Sequence, residues 1–272
     1  MRTLIHLSDL HFGRVNPVLL EPLVTLILEL APDVVVISGD LTQRARTAEF
    51  VAARAFLDRL PGARIVVPGN HDISLHNFFE RFVNPLGKYQ RHIAQDLSPV
   101  YVDEEIAIAG VNTARSLTIK DGRINNVQIE TLQRCFDGIE EKLIRVVVSH
   151  HPFDLPDRFH RRDVVRRAAK AVDAFADCGA DLLLAGHMHA SHAGTTAAHY
   201  PDTEYAALVV QAGTATSTRG RGEANSFNVI RIDNPFIRIE RREWHPGSGL
   251  FVPVALEHFR REGERWIAAP GS

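Results

Sequence analysis

The sequence specifies an α/β protein, and three observations say so. Short runs rich in Val, Ile and Leu recur at 34–37, 65–67, 106–111, 144–148 and 181–185. Segments with apolar residues at helical spacing separate them. Most of the runs stop at a turn that carries an Asp, Asn or His. Runs this short and this continuously apolar suit strands buried on both faces of a sheet. Alternation of such strands with amphipathic helices is the pattern of βαβ units.

Thr3–Leu7 is the first strand, and Ser8-Asp9-Leu10-His11 follows it. Residues two apart on extended chain share a face, so Asp9 and His11 are expected to point at one metal. Pro17–Leu30 carries Leu20, Leu23, Val24, Ile27 and Leu28 at helical spacing. Pro32-Asp33 ends that helix and starts Val34–Asp40, whose Ser38-Gly39-Asp40 end delivers one carboxylate. Ligands of open α/β sheets bind at such strand ends, and Asp40 is expected to be shared between two ions. Thr47 is the expected cap of a helix over Ala48–Leu60, which Pro61-Gly62 stops. Ile65–Val67 leads into Pro68-Gly69-Asn70-His71-Asp72. Asn70 offers a neutral oxygen ligand there. His71, next in the chain, suits an acid or electrostatic role beside the metals, with Asp72 to orient it.

Ile73–Tyr89 reads as helical with a break at Pro85-Leu86-Gly87. Ile106–Val111 is a buried strand ending in Asn112-Thr113-Ala114-Arg115, and Val127–Ile139 is a helix. Leu143–Val148 ends in Ser149-His150-His151-Pro152. Pro152 stops that strand and leaves two histidines at its mouth, of which one should face the site. A basic amphipathic helix spans Arg162–Cys178, and Asp181–Ala185 runs into Gly186-His187-Met188-His189. The two histidines there share a face by the same spacing as Asp9 and His11. Tyr205–Ala212, Phe227–Ile232 and Phe236–Trp244 alternate more and lack helices between them, as antiparallel strands of a second sheet do. Ser217–Asn225 is a loop bearing Gly and Arg. No linker divides the 272 residues, so one domain is expected, with a motif-bearing core over 1–215 and strands over 226–257 completing the second sheet.

Bulk properties exclude several classes. A formal net charge of −2 advertises neither a nucleic-acid nor a membrane partner. The chain opens directly on a strand without a signal-peptide pattern, and no apolar run is long enough to span a bilayer. The two cysteines, Cys135 and Cys178, lack metal-ligand spacing and read as buried thiols of a reducing, cytoplasmic setting.

Asp-x-His, Gly-Asp, Gly-Asn-His-Asp, His-His-Pro and Gly-His-x-His thus occur in order at successive strand ends between Asp9 and His189. This series resembles the signature of the calcineurin-like metallophosphoesterase superfamily. The resemblance implies a four-layer αββα sandwich and two divalent ions. By motif, Asp9, His11 and His189 match the ligands of one ion, and Asn70, His150 and His187 those of the other. Asp40 matches the bridging carboxylate and His71 the non-ligand histidine beside the scissile phosphate. Within His-His-Pro the family uses the first histidine, which selects His150 over His151. Oxygen and nitrogen ligands without thiolate suit manganese, iron, zinc or magnesium, and iron and manganese are favoured. Two such ions clamp the attacking and leaving oxygens of an in-line displacement and acidify the water they share.

Departures narrow the substrate. Protein serine/threonine phosphatases carry a second Asp that Gly39-Asp40-Leu41-Thr42-Gln43-Arg44-Ala45 lacks. Lipid-precursor pyrophosphatases of the superfamily carry Arg where His71 stands. Its DNA-repair nucleases are larger, with a capping domain. Gly-Asp-Leu-Thr with Gly-Asn-His-Asp and His-His-Pro looks most like the bacterial class III cyclic-nucleotide phosphodiesterases and glycerophosphodiesterases. The expected substrate is a small phosphodiester, a 3′,5′-cyclic nucleotide first and a glycerophosphodiester second. A metal-binding regulatory module without turnover is the alternative from another class. Arg115, Arg219 and Arg221 are the candidate substrate contacts. The group often forms homodimers or larger homo-oligomers.

Overall fold

The computed structural model describes the chain except residues 75–77, 119, 157, 201–203, 220–221 and 271–272. Sheet one begins with the parallel strands β1 (Arg2–Leu7), β2 (Val34–Ser38) and β3 (Ala63–Val67). Sheet two contains β4 (Val100–Val102), β5 (Ile106–Val111), β6 (Ile144–Ser149), β7 (Leu182–Ala185), β8 (His192–Thr195) and β9 (Leu208–Gln211). Its order is β4-β5-β6-β7-β9-β8. The chain then returns to sheet one through β10 (Ser226–Asp233), β11 (Phe236–His245), β12 (Leu250–Glu262) and β13 (Arg265–Ala269). β10 pairs antiparallel with the free edge of β1, giving the order β13-β12-β11-β10-β1-β2-β3.

This partition corrects the sequence reading in two places. The five apolar runs divide between two sheets, and the C-terminal strands extend the sheet of β1–β3. Strand 205–212 becomes β9, which pairs parallel with β7. A run such as Val34–Ile37 is buried on both faces in either arrangement, so its pattern does not name its neighbour.

Alternation along each strand sorts side chains into three cores. Ile5, Leu7, Val35 and Ile37 face α1 (Leu20–Leu30) and α2 (Thr47–Leu57), against Leu23, Ile27, Phe50 and Phe56. Leu4, Val34, Val36 and Ile65 face the other way, onto Ile108, Val146, Val148 and Leu184 of sheet two. Ala109, Val147 and Leu183 face α3 (Asn126–Phe136) and α4 (Ala168–Asp177), against Ile129, Leu132 and Phe175. Three cores make four layers, αββα. Each fully buried Leu, Ile or Val contributes about 1.5–3 kcal/mol.

Helix starts differ from expectation where side chains compete for the cap. Thr47 lies inside α2, and Glu49 reaches back to the amides of Arg44 (2.8 Å) and Arg46 (3.3 Å). The stretch 162–178 is α-helical only from Ala168, with a single 3-10 turn at Arg161–Asp163 ahead of it. Cys135 and Cys178 are free and half-buried rather than buried. No helix among the described residues is long and apolar enough to cross a membrane.

Candidate metal centre

The carboxyl ends of β1, β2, β3, β6 and β7 meet along one edge where the two sheets face each other. The backbone there is not extended. Asp9 (φ 53°), His11 (48°), Asp40 (52°), His187 (70°) and His189 (56°) all adopt left-handed conformations. The shared direction of Asp9 with His11 therefore comes from tight alternating turns and not from strand pleating, and the same kind of turn sends His187 towards His150 but His189 towards Asp9 and His11. Amides of one turn bind carbonyls of the next, Asp9 N to Gly39 O (3.1 Å) and His11 N to Asp40 O (2.9 Å). Gly69 lets two turns touch, because a methyl there would lie 2.1 Å from Oδ1 of Asp40.

Two groups of side chains result. In the first, Asp9 Oδ1 lies 3.5 Å from His11 Nε2 and 3.3 Å from His189 Nε2. The two Nε2 atoms are 3.4 Å apart. In the second, His150 Nε2 lies 3.2 Å from Asn70 Oδ1 and 3.2 Å from His187 Nδ1. Asp40 reaches both, with Oδ2 3.7 Å from His11 Nε2 and Oδ1 3.4 Å from His150 Nε2. Asp9, His11, Asp40 and His150 are all buried.

The donor set fits divalent cations. Ligands bonded at about 2.0–2.2 Å to one ion lie roughly 3.0–3.5 Å apart. Oδ1 of Asp9 is buried and accepts no hydrogen bond. The rings are held with Nε2 turned to the ligand groups: His150 Nδ1 donates to Ser38 O (2.8 Å), and His11 Nδ1 approaches Thr42 O (3.3 Å). His189 Nδ1 pairs with Thr214 Oγ1 at 2.7 Å. Such outer partners fix tautomer and ring orientation at metal sites. Thr42 stands inside the Gly-Asp-Leu-Thr block, but nothing in the sequence marked Ser38 or Thr214.

The electrostatics agree. Burial opposes the charge on Asp40, yet His150 and His11 hold it well below the usual carboxylate range. Burial likewise opposes a charge on His150, but Asp40 outweighs it and pushes the imidazole up to about 9. Burial, then His150, pushes His187 down to about 3. A proton on His150 thus offsets part of the carboxylate charge, and ligation requires its release.

His151 lies close, its ring 4.5 Å from that of His187, but both its nitrogens are taken. Nδ1 pairs with Thr113 Oγ1 (2.9 Å) and Nε2 with Lys120 O (2.8 Å). His150 is the histidine that faces Asp40 and Asn70. His71 sits beside the first group, its ring 5.0 Å from that of His11. Its Nδ1 donates to Gln43 O (2.8 Å), and Arg219 Nη1 donates to its Nε2 (2.9 Å). Burial lowers the His71 imidazole below its ordinary range. Asp72 does not orient that ring. It accepts the amides of Gly69 (2.9 Å), Leu41 (3.2 Å) and Thr42 (2.9 Å) and the Thr42 hydroxyl (2.9 Å), stapling two turns together.

The three arginines separate. Arg219 reaches the centre through His71. Arg115 turns away, binding the carbonyls of Asn112 (3.0 Å) and Ala114 (2.8 Å) and the side chain of Gln128. Arg221 lies outside the described residues. Phe12 packs on Phe56, 5.7 Å between ring centroids, as core.

No curated protein matches the chain by sequence. Among solved structures, a dimetal phosphatase from Danio rerio superposes with a TM-score of 0.66 at 12% identity, over 93% of this chain and 98% of that one. The purple acid phosphatase PPD1 of yellow lupin gives 0.69 at 12% identity. That match covers 93% of this chain and only 52% of the lupin enzyme. Vacuolar protein sorting 29 of Cryptosporidium parvum gives 0.51 at 13% identity, over 96% and 98% of the two chains. At these identities the likeness is one of fold. The model of the calcineurin-like phosphoesterase family matches residues 2–191. The chain therefore belongs to the calcineurin-like phosphoesterase family and is a metal-dependent phosphoester hydrolase.

Proposed function

We propose that the chain hydrolyses small phosphodiesters, 3′,5′-cyclic nucleotides first and glycerophosphodiesters second. One observation carries this reading. Asp40 presents one carboxylate oxygen to His11 and the other to His150, so a single side chain serves both ligand groups. In this assignment Asp9, His11 and His189 hold one cation, Asn70, His150 and His187 the other, and Asp40 both. Manganese and iron suit the set best, ahead of zinc and magnesium. Bound ions supply Lewis acidity at the phosphoryl oxygens and a water acidified toward hydroxide.

The chain's own residues do the rest. Ser38, Thr42 and Thr214 fix the ligand rings. Gln43 O holds the Nδ1–H of His71, and its Nε2 accepts from Arg219. Once Arg219 turns to the phosphoryl oxygens and Nε2 takes up a proton from solvent, His71 would give that proton to the departing alkoxide and return to the neutral Nδ1–H form, a step worth ~10²–10⁴-fold. Arg219 offers its guanidinium to the same place, a fork suited to phosphoryl oxygens. A cytoplasmic setting belongs to the same proposal and is supported by two unpaired cysteines.

The test is a panel of cyclic nucleotides, glycerophosphodiesters and monoesters, each assayed with manganese, iron, zinc and magnesium. Diesters should turn over faster than monoesters. A metal-loaded protein inert toward every diester would overturn the phosphodiesterase reading and favour a binding module.

A further inference from the structure

His151 is buried beside the centre and, in the assignment above, binds no ion. Its bond to the Lys120 carbonyl holds the 120–122 loop against the metal end of β6. Contact is close, since a methyl at Gly122 would lie 2.3 Å from Cγ of His151. This loop forms one wall of a cavity of about 630 Å³ that opens against His187. Lys120 and Arg162 line it and make no ion pair with a described residue. Of its two acids, Asp121 pairs with Arg166 (2.9 Å), while Asp163 accepts the amide of His160 (3.3 Å) and keeps its charge. With Arg166 answering Asp121, Lys120 and Arg162 face only Asp163, so the cavity keeps one net positive charge next to a ligand of the centre. His160 is shared with a second cavity of about 280 Å³, lined by Phe153, Leu155, Phe159 and Val165. A polar, cationic space beside the metals thus continues into an apolar one.

We propose that the first cavity is a second-anion subsite: it takes a phosphate carried on one alcohol arm of the phosphodiester, with a ring of that arm lying beyond His160. This rests on the phosphodiesterase reading and adds a substrate class to it. The chemistry is selective, because a diester with a single phosphate leaves one of the two cations, Lys120 or Arg162, without a counter-charge in the cavity. His151 acts here as a positioning residue through the Lys120 backbone.

The dinucleotides ApA and pApA differ only by a terminal 5′-phosphate and make the test. The manganese-loaded full chain should cleave pApA with a kcat/KM about tenfold above that for ApA, through KM, as two exposed phosphate contacts allow. Raising salt should shrink the ratio. In the double variant Lys120→Ala/Arg162→Ala the ratio should fall to about one, and Lys120→Arg/Arg162→Lys should restore it. A wild-type ratio near one, or a ratio the alanine pair leaves unchanged, overturns the subsite. Calorimetric binding of the same dinucleotides separates the two readings. Tighter binding of pApA without cleavage of either compound would sink the phosphodiesterase reading and support the subsite. Cleavage of both at equal efficiency would do the reverse.

Discussion

Asp40 faces His11 with one carboxylate oxygen and His150 with the other, so its loss removes a ligand from both groups. Asp40→Ala is expected to purify without bound metal. His71→Ala should keep its metal and lose ~10²–10⁴-fold in turnover, because His71 lies beside the ligands and outside them. Metal content by mass spectrometry, read beside kcat, distinguishes the two, and a metal-replete Asp40→Ala protein would refute the shared-carboxylate assignment. The left-handed backbone gives a second residue-level expectation. A non-glycine residue in that region costs about 1–2 kcal/mol. His189, at φ 56°, bears this cost. His189→Gly and His189→Ala delete the same ligand, so their difference reports the backbone alone. The glycine variant should be the more stable by about 1 kcal/mol in denaturant unfolding of the metal-free proteins. Equal stability would mean that the turn is unstrained.

At the scale of elements, the turns after β2 and β3 are joined through Asp72. Its carboxylate gathers four donors, among them the amides of Gly69, Leu41 and Thr42. Asp72→Ala would leave these buried amides unpaired, at about 1–3 kcal/mol for each group without solvent. A loss of at least ~2 kcal/mol is expected, with weaker metal binding because Asp40 and Asn70 sit on the same two turns. A variant as stable as the parent would show that the turns hold without it. Much at this scale was legible in the sequence. Val34–Ile37 and Ile144–Val148 announce strands, and Gly69-Asn70-His71-Asp72 announces a crowded turn. The role of Asp72 was misread, since adjacency to His71 suggested a contact that the turn geometry points elsewhere. The partition of strands was misread as well, because β10 finds β1 across more than 200 residues of chain.

For the whole molecule, the centre joins ligands from both sheets, so ion binding couples to global stability. Each cation present at 100 times its dissociation constant would contribute about 2.7 kcal/mol. For a chain of this size that is roughly 5–10 °C in Tm for each ion. Chelation should lower the thermal midpoint by that order and re-addition of manganese should restore it. A midpoint indifferent to chelator would separate ion binding from the fold.

The sequence by itself determined the kinds of element and the identity of the chemistry-bearing residues. Both are local: apolar period sets strand or helix, and a motif names its own side chains. It also placed those residues at strand ends, through the Gly and Pro turns that follow each apolar run. Only the tertiary structure decided which strands share a sheet, and that Arg219 meets His71 while Arg115 does not. Those outcomes depend on burial between layers and on hydrogen bonds to backbone groups distant in the chain, and no window of sequence contains them.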